Sequence, residues 1–197
     1  MPMVKVDKEY TFTANGGKTL SLADLFGDKE QLLVYHFMFS PKGSACDGCT
    51  HVGECLPHYK HMAHKNVSLV CVSRADVDAL QAYKEKAGWT FPWYSSGDSD
   101  FNYDFKATID PARSEPMVNF QTNEERVAAG KRKLVNGDVP GFSVFVKKDG
   151  VVYHTYSTWE RGVESVLQTF ALLDLVPQGR LDGPQGPGEF ALPQDYE

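Results

Sequence analysis

The sequence predicts an α/β fold in which helices cover both faces of a central mixed sheet. Two continuously apolar runs, residues 32–39 and Val67–Ser73, are typical of strands that are buried on both sides. A helical pattern follows each run, so strands and helices alternate along the chain. Near the end, FSVFVKK, the turn Asp149-Gly150 and VVYHTYST indicate an antiparallel hairpin.

A hairpin and a short helix are expected before the first core strand. Residues 10–13 alternate in polarity and are rich in β-forming side chains, and the NGG sequence at 15–17 supplies a turn. Ser21 can cap a short helix that Gly27 ends. The N-terminal region is therefore predicted to extend the central sheet with a hairpin.

Two longer helices are predicted after the core strands. The first covers residues 47–65, and Pro57 should kink or divide it because proline cannot donate a helical hydrogen bond. The second covers residues 76–88. Residues 89–96 are predicted to form a strand or an extended arm, and Pro92 should place this segment at an edge of the sheet.

The second half of the chain contains an insertion and ends in a tail. Residues 106–138 are polar and are expected to carry one short helix, whereas residues 159–175 have the pattern of a final helix. Residues 178–197 are rich in Pro and Gly, so this tail should be ordered only by packing on another surface, such as a second subunit. We therefore predict one domain over residues 1–177, and a homodimer is one expected assembly.

Composition excludes several classes of function. Apolar residues make up 42% of the 197 residues, charged residues make up 23%, and the net charge is −6. A nucleic-acid or anionic-membrane binder needs a basic surface, which this balance disfavours. No apolar run is long enough to span a bilayer, and the N-terminus lacks the apolar core of a secretion signal, so a cytoplasmic location is expected.

Three of the four cysteines lie within ten residues, directly after the first core strand. This strand runs into Cys46-Asp47-Gly48-Cys49 at a predicted helix N-terminus, which is the arrangement of a thioredoxin-like redox site. The helix terminus and a nearby cation, such as Lys42, can stabilise a thiolate. Cys46 and Cys49 are therefore the candidate catalytic residues of a thiol–disulfide oxidoreductase. Its substrate would be a protein or small-molecule disulfide, and no cofactor or metal is expected.

Two alternatives remain open. A metal or cluster site could use Cys46, Cys49 and Cys55 with His51, His58 and Met62, although the cysteine spacing is not that of a standard site. The other alternative is a thiol peroxidase. Peroxiredoxins place a Thr three residues before the reactive cysteine, where this chain has Gly43 relative to Cys46. Cys71 lies within a predicted core strand and is expected to be a buried, inert thiol.

Several sequence segments resemble those of known families. The segment from Val139-Pro140-Gly141 through the closing hairpin is similar to the region where thioredoxins place a cis-proline. The stretches VYHFMF, VSRADVDALQAYKEKAGWTFPWYSS, SDFNYDF and HTYSTWERG resemble a bacterial and fungal family of thioredoxin-like proteins catalogued as a domain of unknown function. This resemblance covers roughly residues 10–180 and implies a thioredoxin-like fold with a redox role.

The thioredoxin resemblance makes Pro140 a third candidate catalytic residue. We predict a cis Val139–Pro140 bond, which would shape a groove where a partner's backbone pairs beside the thiols. One departure concerns the helix: thioredoxins carry a proline about eight residues after the attacking cysteine, and Pro57 stands at that distance from Cys49. The working hypothesis is that Cys46 attacks and Cys49 resolves, but the sequence leaves this assignment open.

Overall fold

An eight-stranded mixed sheet forms the centre of the computed structural model, which describes residues 2–97, 99–181 and 190–196. Its strands are β1 (Val4–Lys5), β2 (Thr11–Thr13), β3 (Thr19–Ser21), β4 (Gln31–His36), β5 (Val67–Ser73), β6 (Trp93–Ser95), β11 (Gly141–Lys148) and β12 (Val151–Trp159). The strand order is β1-β12-β11-β4-β5-β6-β2-β3; β4, β5 and β6 run parallel, and the other neighbours are antiparallel.

The helices alternate with the strands of this sheet, as the sequence predicts. Pro57 divides the first helical region into α1 (Asp47–Cys55) and α2 (Tyr59–His64), because proline cannot continue a helix and the backbone at Leu56 is extended. Within the described residues, no helix has the length and apolar character needed to cross a bilayer. The helices are α1 (Asp47–Cys55), α2 (Tyr59–His64), α3 (Val77–Ala87), α4 (Phe101–Asp104), α5 (Asn123–Ala128) and α6 (Gln168–Leu173), with 3-10 helices at Asn15–Gly17, Asp24–Phe26, Glu160–Val166 and Pro193–Asp195.

Two apolar clusters lie on opposite faces of the sheet. Successive side chains of β4 point to opposite faces, so Tyr35 belongs to one cluster and Val34 to the other. On the first face, α1, α3 and α6 contribute Val52, Leu80 and Phe170. The second face is covered by the N-terminal hairpin, the 3-10 helix Asp24–Phe26 and α4. The α/β prediction with helices on both faces is confirmed.

The N-terminal region occupies both edges of the sheet. The β2–β3 hairpin extends the sheet beyond β6, and β1 pairs with β12 at the other end. The prediction that residues 89–96 form an edge strand is wrong, because β6 pairs with β5 and also with Thr13 of β2. Pro92 precedes the paired residues, so its missing N–H interrupts no ladder, and its carbonyl accepts from Cys71 N–H at 2.9 Å.

The insertion carries a small core of its own. Ile109, Val118 and Leu134 pack together with Val139. A bidentate ion pair between Arg126 and Glu160, both contacts at 2.8 Å, joins the insertion to the end of β12. Its elements are β7 (Thr108–Ile109), β8 (Met117–Val118), β9 (Gln121–Thr122), α5 and β10 (Gly137–Asp138), with β7 paired to β10 and β8 to β9.

The C-terminal part of the chain differs from the prediction of one long helix. The helix expected over residues 159–175 is divided at Leu167, which is extended, into a 3-10 helix and α6. Residues 190–196 pack on the surface of the domain, where Leu192 is buried and the Phe190 ring stacks on His51 with centroids 3.8 Å apart. Packing of the tail on a second subunit stays a prediction. The part of the tail prediction that concerns residues 182–189 lies outside the described residues.

Candidate active site

Cys46 and Cys49 lie where β4 passes into α1. Cys46 is the residue that caps the helix, and Cys49 lies in the first helical turn. Met38, two residues beyond β4, holds both: its N–H donates to Cys49 Sγ at 3.3 Å, and its carbonyl accepts from Cys46 N–H at 3.2 Å. The backbone at the end of β4 therefore fixes the position of both cysteines relative to the sheet.

The two thiols differ in exposure and acidity. Cys46 is partly exposed, and a hydrogen bond from the Cys49 thiol lowers its pKa to about 7, helped by the N–H groups of Cys49 and Gly48. Cys49 is 1% exposed; burial and then the adjacent Cys46 sulfur raise its pKa well above the usual value. At neutral pH the pair therefore combines a partly ionised outer thiol with a protonated inner one.

Tyr35 lies beneath the pair on the sheet. Burial, followed by the neighbouring Cys49 sulfur, raises the pKa of its phenol, so this group stays protonated. The Tyr35 hydroxyl approaches Cys49 but has no partner of normal hydrogen-bond geometry among the described residues. A neutral O–H beside Cys49 is suited to stabilise a thiolate that forms there.

A shallow cleft of about 250 Å³ opens beside Cys46. Arg74, which directly follows β5, lies on one side of it, and Gly137 and Asp138 of the insertion lie on another. Arg74 Nη1 is 3.3 Å from Asp138 Oδ1. The cation that lines the cleft is thus Arg74, whereas the sequence pointed to Lys42.

Pro140 does not have the predicted geometry. The described residues contain no cis peptide bond, so the cis Val139–Pro140 prediction is wrong. The backbone there is also engaged within the fold: Val139 N–H donates to the Ala107 carbonyl and the Pro140 carbonyl accepts from Glu160 N–H, both at 2.8 Å. A groove with free backbone groups next to a cis-proline therefore has no basis, and any role of Pro140 in the chemistry stays a prediction.

Cys55, at the end of α1, is a second acidic thiol. Burial acts to raise its pKa, but hydrogen bonding to His51 and Thr169 outweighs burial and lowers the pKa to about 7. The Thr169 contact is the better defined of the two, at 3.4 Å, because neither ring nitrogen of His51 has a partner of normal geometry among the described residues. Cys71 is fully buried, and burial raises its pKa, which confirms the expectation of a buried thiol.

The residues considered for a metal site do not form a ligand cluster in the described part of the chain. In the described ranges no three side chains from His, Cys, Asp and Glu come together as metal ligands would. His51 stacks on Phe190, and His58 instead accepts from Lys60 N–H at the start of α2. The break at Pro57 separates His51 in α1 from His58 before α2, in agreement with the prediction that Pro57 divides this helical region.

Sequence reasoning missed Arg74, Asp138 and Tyr35. Arg74 had a usable signal, since it follows a buried strand at the carboxyl edge where the neighbouring parallel strand delivers the cysteines. Tyr35 also had one, because a polar hydroxyl in a continuously apolar run needs a partner. Asp138 had none, because the insertion brings it to the site from far along the chain.

Comparison with solved structures shows a thioredoxin-like fold. PrxQ of Xylella fastidiosa is similar over 87% of this chain and 96% of its own, with 15% identity and a TM-score of 0.57. Peroxiredoxin Q of Xanthomonas campestris has 17% identity, coverage of 83% and 89%, and a TM-score of 0.53. The bacterioferritin comigratory protein of Xanthomonas campestris has 16% identity, coverage of 82% and 88%, and a TM-score of 0.54.

Comparison of the sequence gives one family. A family described as "Bacterial protein of unknown function (DUF899)" matches residues 1–194, which is wider than the resemblance seen in the sequence. No curated protein matches the chain.

Proposed function

The chain belongs to the DUF899 family of bacterial proteins of unknown function, and we propose that it is a thiol–disulfide oxidoreductase with Cys46 as the attacking thiol. One observation carries this proposal: at the start of α1 the Cys46 thiol is partly exposed, whereas the Cys49 thiol behind it is buried. The direction of the pKa shifts agrees, because the pKa of Cys46 is lowered to about 7 and the pKa of Cys49 is raised. A dithiol exchange needs one thiolate that a substrate can reach and one thiol held in reserve behind it.

The reductive reaction proceeds in two exchanges. The Cys46 thiolate attacks one sulfur of a substrate disulfide, the S–S bond breaks, and the first half leaves as a thiolate. Cys49 then loses its proton and attacks Cys46 Sγ, which forms the Cys46–Cys49 disulfide and releases the second half. Two electrons pass from the protein to the substrate, and the Cys49 proton is taken up by a released thiolate. A dithiol reductant would return the protein to its starting state.

The surroundings of Cys49 favour its delayed ionisation. Consumption of the Cys46 thiolate removes the negative charge that helps to raise the pKa of Cys49. The Met38 N–H and the Tyr35 hydroxyl both lie beside Cys49 Sγ and can stabilise the new thiolate. The inner thiol is therefore expected to become reactive only after the mixed disulfide has formed.

A thiol peroxidase is the second candidate, since the same Cys46 thiolate could attack a peroxide. Against this alternative, the chain has Gly43 at the position three residues before Cys46, where peroxiredoxins have a Thr hydroxyl. Cys49 does not separate the two candidates, because a sulfenic acid on Cys46 would condense with the same thiol. A cytoplasmic location and a homodimer remain predictions from the sequence.

The two candidates separate in a trapping experiment. Reduced protein is mixed with bis(2-hydroxyethyl) disulfide or with hydrogen peroxide, quenched with acid and mapped by mass spectrometry. Wild-type protein should give the Cys46–Cys49 disulfide with the organic disulfide, and Cys49→Ser should stop at a mixed disulfide on Cys46. Cys46→Ser is the matched control and should give neither product.

The proposal fails if Cys46 acquires no mixed disulfide, or if the dominant bridge involves Cys55. Rapid formation of a Cys46 sulfenic acid in Cys49→Ser with peroxide, together with slow exchange with the disulfide, would favour the peroxidase instead.

A further inference from the structure

Arg74 and Cys46 reach the same cleft from neighbouring parallel strands. Arg74 follows β5 directly, and the chain that leads to Cys46 leaves β4 at the same edge of the sheet. The Ala75 N–H donates to the Phe39 carbonyl at 2.7 Å and ties the two segments together. The guanidinium is therefore attached to a rigid part of the fold, next to the outer thiol.

The guanidinium of Arg74 is poorly satisfied for its degree of burial. Its side chain is 18% exposed, and its contact with Asp138 is single and long, at 3.3 Å. Arg74 Nε is buried and has no hydrogen-bond partner among the described residues. A guanidinium offers five N–H donors in a planar fork, and the hydrogen bond to Asp138 is the one that the Arg74 side chain makes within the described part of the chain. A pair with a purely structural role would be expected to use the fork more fully.

Two neighbours hold this guanidinium in place. Its carbon lies 5.2 Å from the centroid of the Tyr103 ring. Asp138 is itself fixed, because Thr108 Oγ1 donates to its Oδ1 at 2.7 Å. Arg74 is thus oriented before a ligand arrives, which reduces the entropy lost on binding.

The charge of the whole protein makes a local cation informative. The net charge is −6, so an anionic substrate is repelled at long range, and a positive group near the thiol offsets this repulsion at the place where the substrate binds. Carboxylates are the natural ligands of an arginine fork, through two parallel N–H···O bonds. A cleft of about 250 Å³ has room for one small substituent next to the sulfur that Cys46 attacks.

We propose that this cleft selects small disulfides that carry a carboxylate close to the S–S bond, and that Arg74 binds this carboxylate while Cys46 attacks the sulfur. The inference rests on the proposed oxidoreductase function and adds its substrate class. Asp138 orients the guanidinium of Arg74, but its negative charge partly neutralises that group and so weakens the binding of a substrate carboxylate.

The test uses three probes of similar size and different charge: dithiodiglycolate, bis(2-hydroxyethyl) disulfide and cystamine. Each is mixed with the reduced full-length protein carrying Cys49→Ser, and the rate of mixed-disulfide formation on Cys46 is measured. Arg74→Met should slow dithiodiglycolate by at least about tenfold, equivalent to about 1.4 kcal/mol, and change the neutral probe by less than about twofold. Arg132→Met, which removes an exposed cation in the insertion, is the matched control and should not discriminate between the probes.

Two further variants separate charge from geometry. Arg74→Lys should recover only part of the dithiodiglycolate rate, because lysine keeps the charge but not the fork. Asp138→Asn keeps an oxygen acceptor for Thr108 and should speed dithiodiglycolate relative to the neutral probe. An equal loss for all three probes in Arg74→Met, with no change of selectivity in Asp138→Asn, would overturn the substrate class and leave the oxidoreductase function standing. Absence of a mixed disulfide with every probe before Arg74 is changed would instead overturn the oxidoreductase function, and the substrate class with it.

Discussion

The acidity of Cys46 should depend on the thiol of Cys49, because that hydrogen bond is the largest cause of the lowered pKa. Cys49→Ala removes the donor, whereas Cys49→Ser replaces it with a hydroxyl; neither variant has a resolving thiol. Cys55 also has a pKa of about 7, so both variants are made with Cys55→Ser to keep one titrating thiol in that range. The matched pair isolates a single hydrogen bond.

The size of the effect follows from the thiolate fraction and from nucleophilicity. At pH 7 a thiol with a pKa near 7 is roughly half ionised, whereas at the ordinary value of 9.0 about 1% is ionised. Thiolates of higher pKa attack faster, by about six- to tenfold for a pKa difference of two. A change of the Cys46 pKa from 7 to 9 therefore slows exchange at pH 7 by only about five- to eightfold. At pH 10 the order reverses, and Cys49→Ala should then react faster.

The assay is the rate of mixed-disulfide formation with bis(2-hydroxyethyl) disulfide between pH 5.5 and 10. The midpoint should lie near 7 in Cys49→Ser and should move towards 9 in Cys49→Ala, with the two profiles crossing. Coincident midpoints would refute the reasoning, since the hydrogen bond would then contribute nothing to the acidity of Cys46. A midpoint near 9 in the wild-type protein would refute it more directly.

Other regions of the fold give three further predictions. Burial lowers the pKa of His36 from 6.5 to about 3, so between these pH values the unfolded chain binds a proton that the folded chain does not. The free energy of unfolding should therefore decrease by about 5 kcal/mol as the pH is lowered from 6.5 to 3. Urea unfolding should show a smaller decrease over this range for His36→Gln. Arg126→Met leaves the Glu160 carboxylate unpaired and should lower the free energy of unfolding in urea by about 3 kcal/mol. Adding Glu160→Gln should restore part of this loss, and an unchanged stability in Arg126→Met would show that the pair contributes nothing. Leu192→Ala should cost about 2 kcal/mol and make residues 190–196 sensitive to limited proteolysis; unchanged protection would mean that Leu192 does not anchor the segment.

The sequence by itself determined the features that depend on local pattern. Continuous apolar runs predicted β4 and β5, because strands buried on both faces tolerate few polar residues. The position of Cys46 and Cys49 at the start of α1 followed from a strand, a short loop and a helix in succession. The break at Pro57 followed from the chemistry of proline alone. The family resemblance then specified the thioredoxin-like fold.

Only the tertiary structure decided the properties that depend on distant contacts. Cys46 and Cys49 are equivalent in the sequence, but packing on Tyr35 buries one thiol and leaves the other accessible, which reverses the direction of their pKa shifts. β6 became an interior strand because a hairpin more than seventy residues earlier in the chain pairs with it. Likewise, the backbone at Val139 and Pro140 is hydrogen-bonded to Ala107 and Glu160, which are distant in sequence and which no local pattern brings together.

The cleft beside Cys46 has the same origin. Arg74 comes from the end of β5, Cys46 from the start of α1 and Asp138 from the end of the insertion, so the charge around the thiol is assembled from three separate parts of the chain. Sequence periodicity reports which face of an element is buried, but it carries no information about which elements meet at the end of a sheet. For this reason the reactive thiols were predictable and Arg74 had a usable signal, whereas Asp138 had none, because the insertion brings it to the cleft from far along the chain.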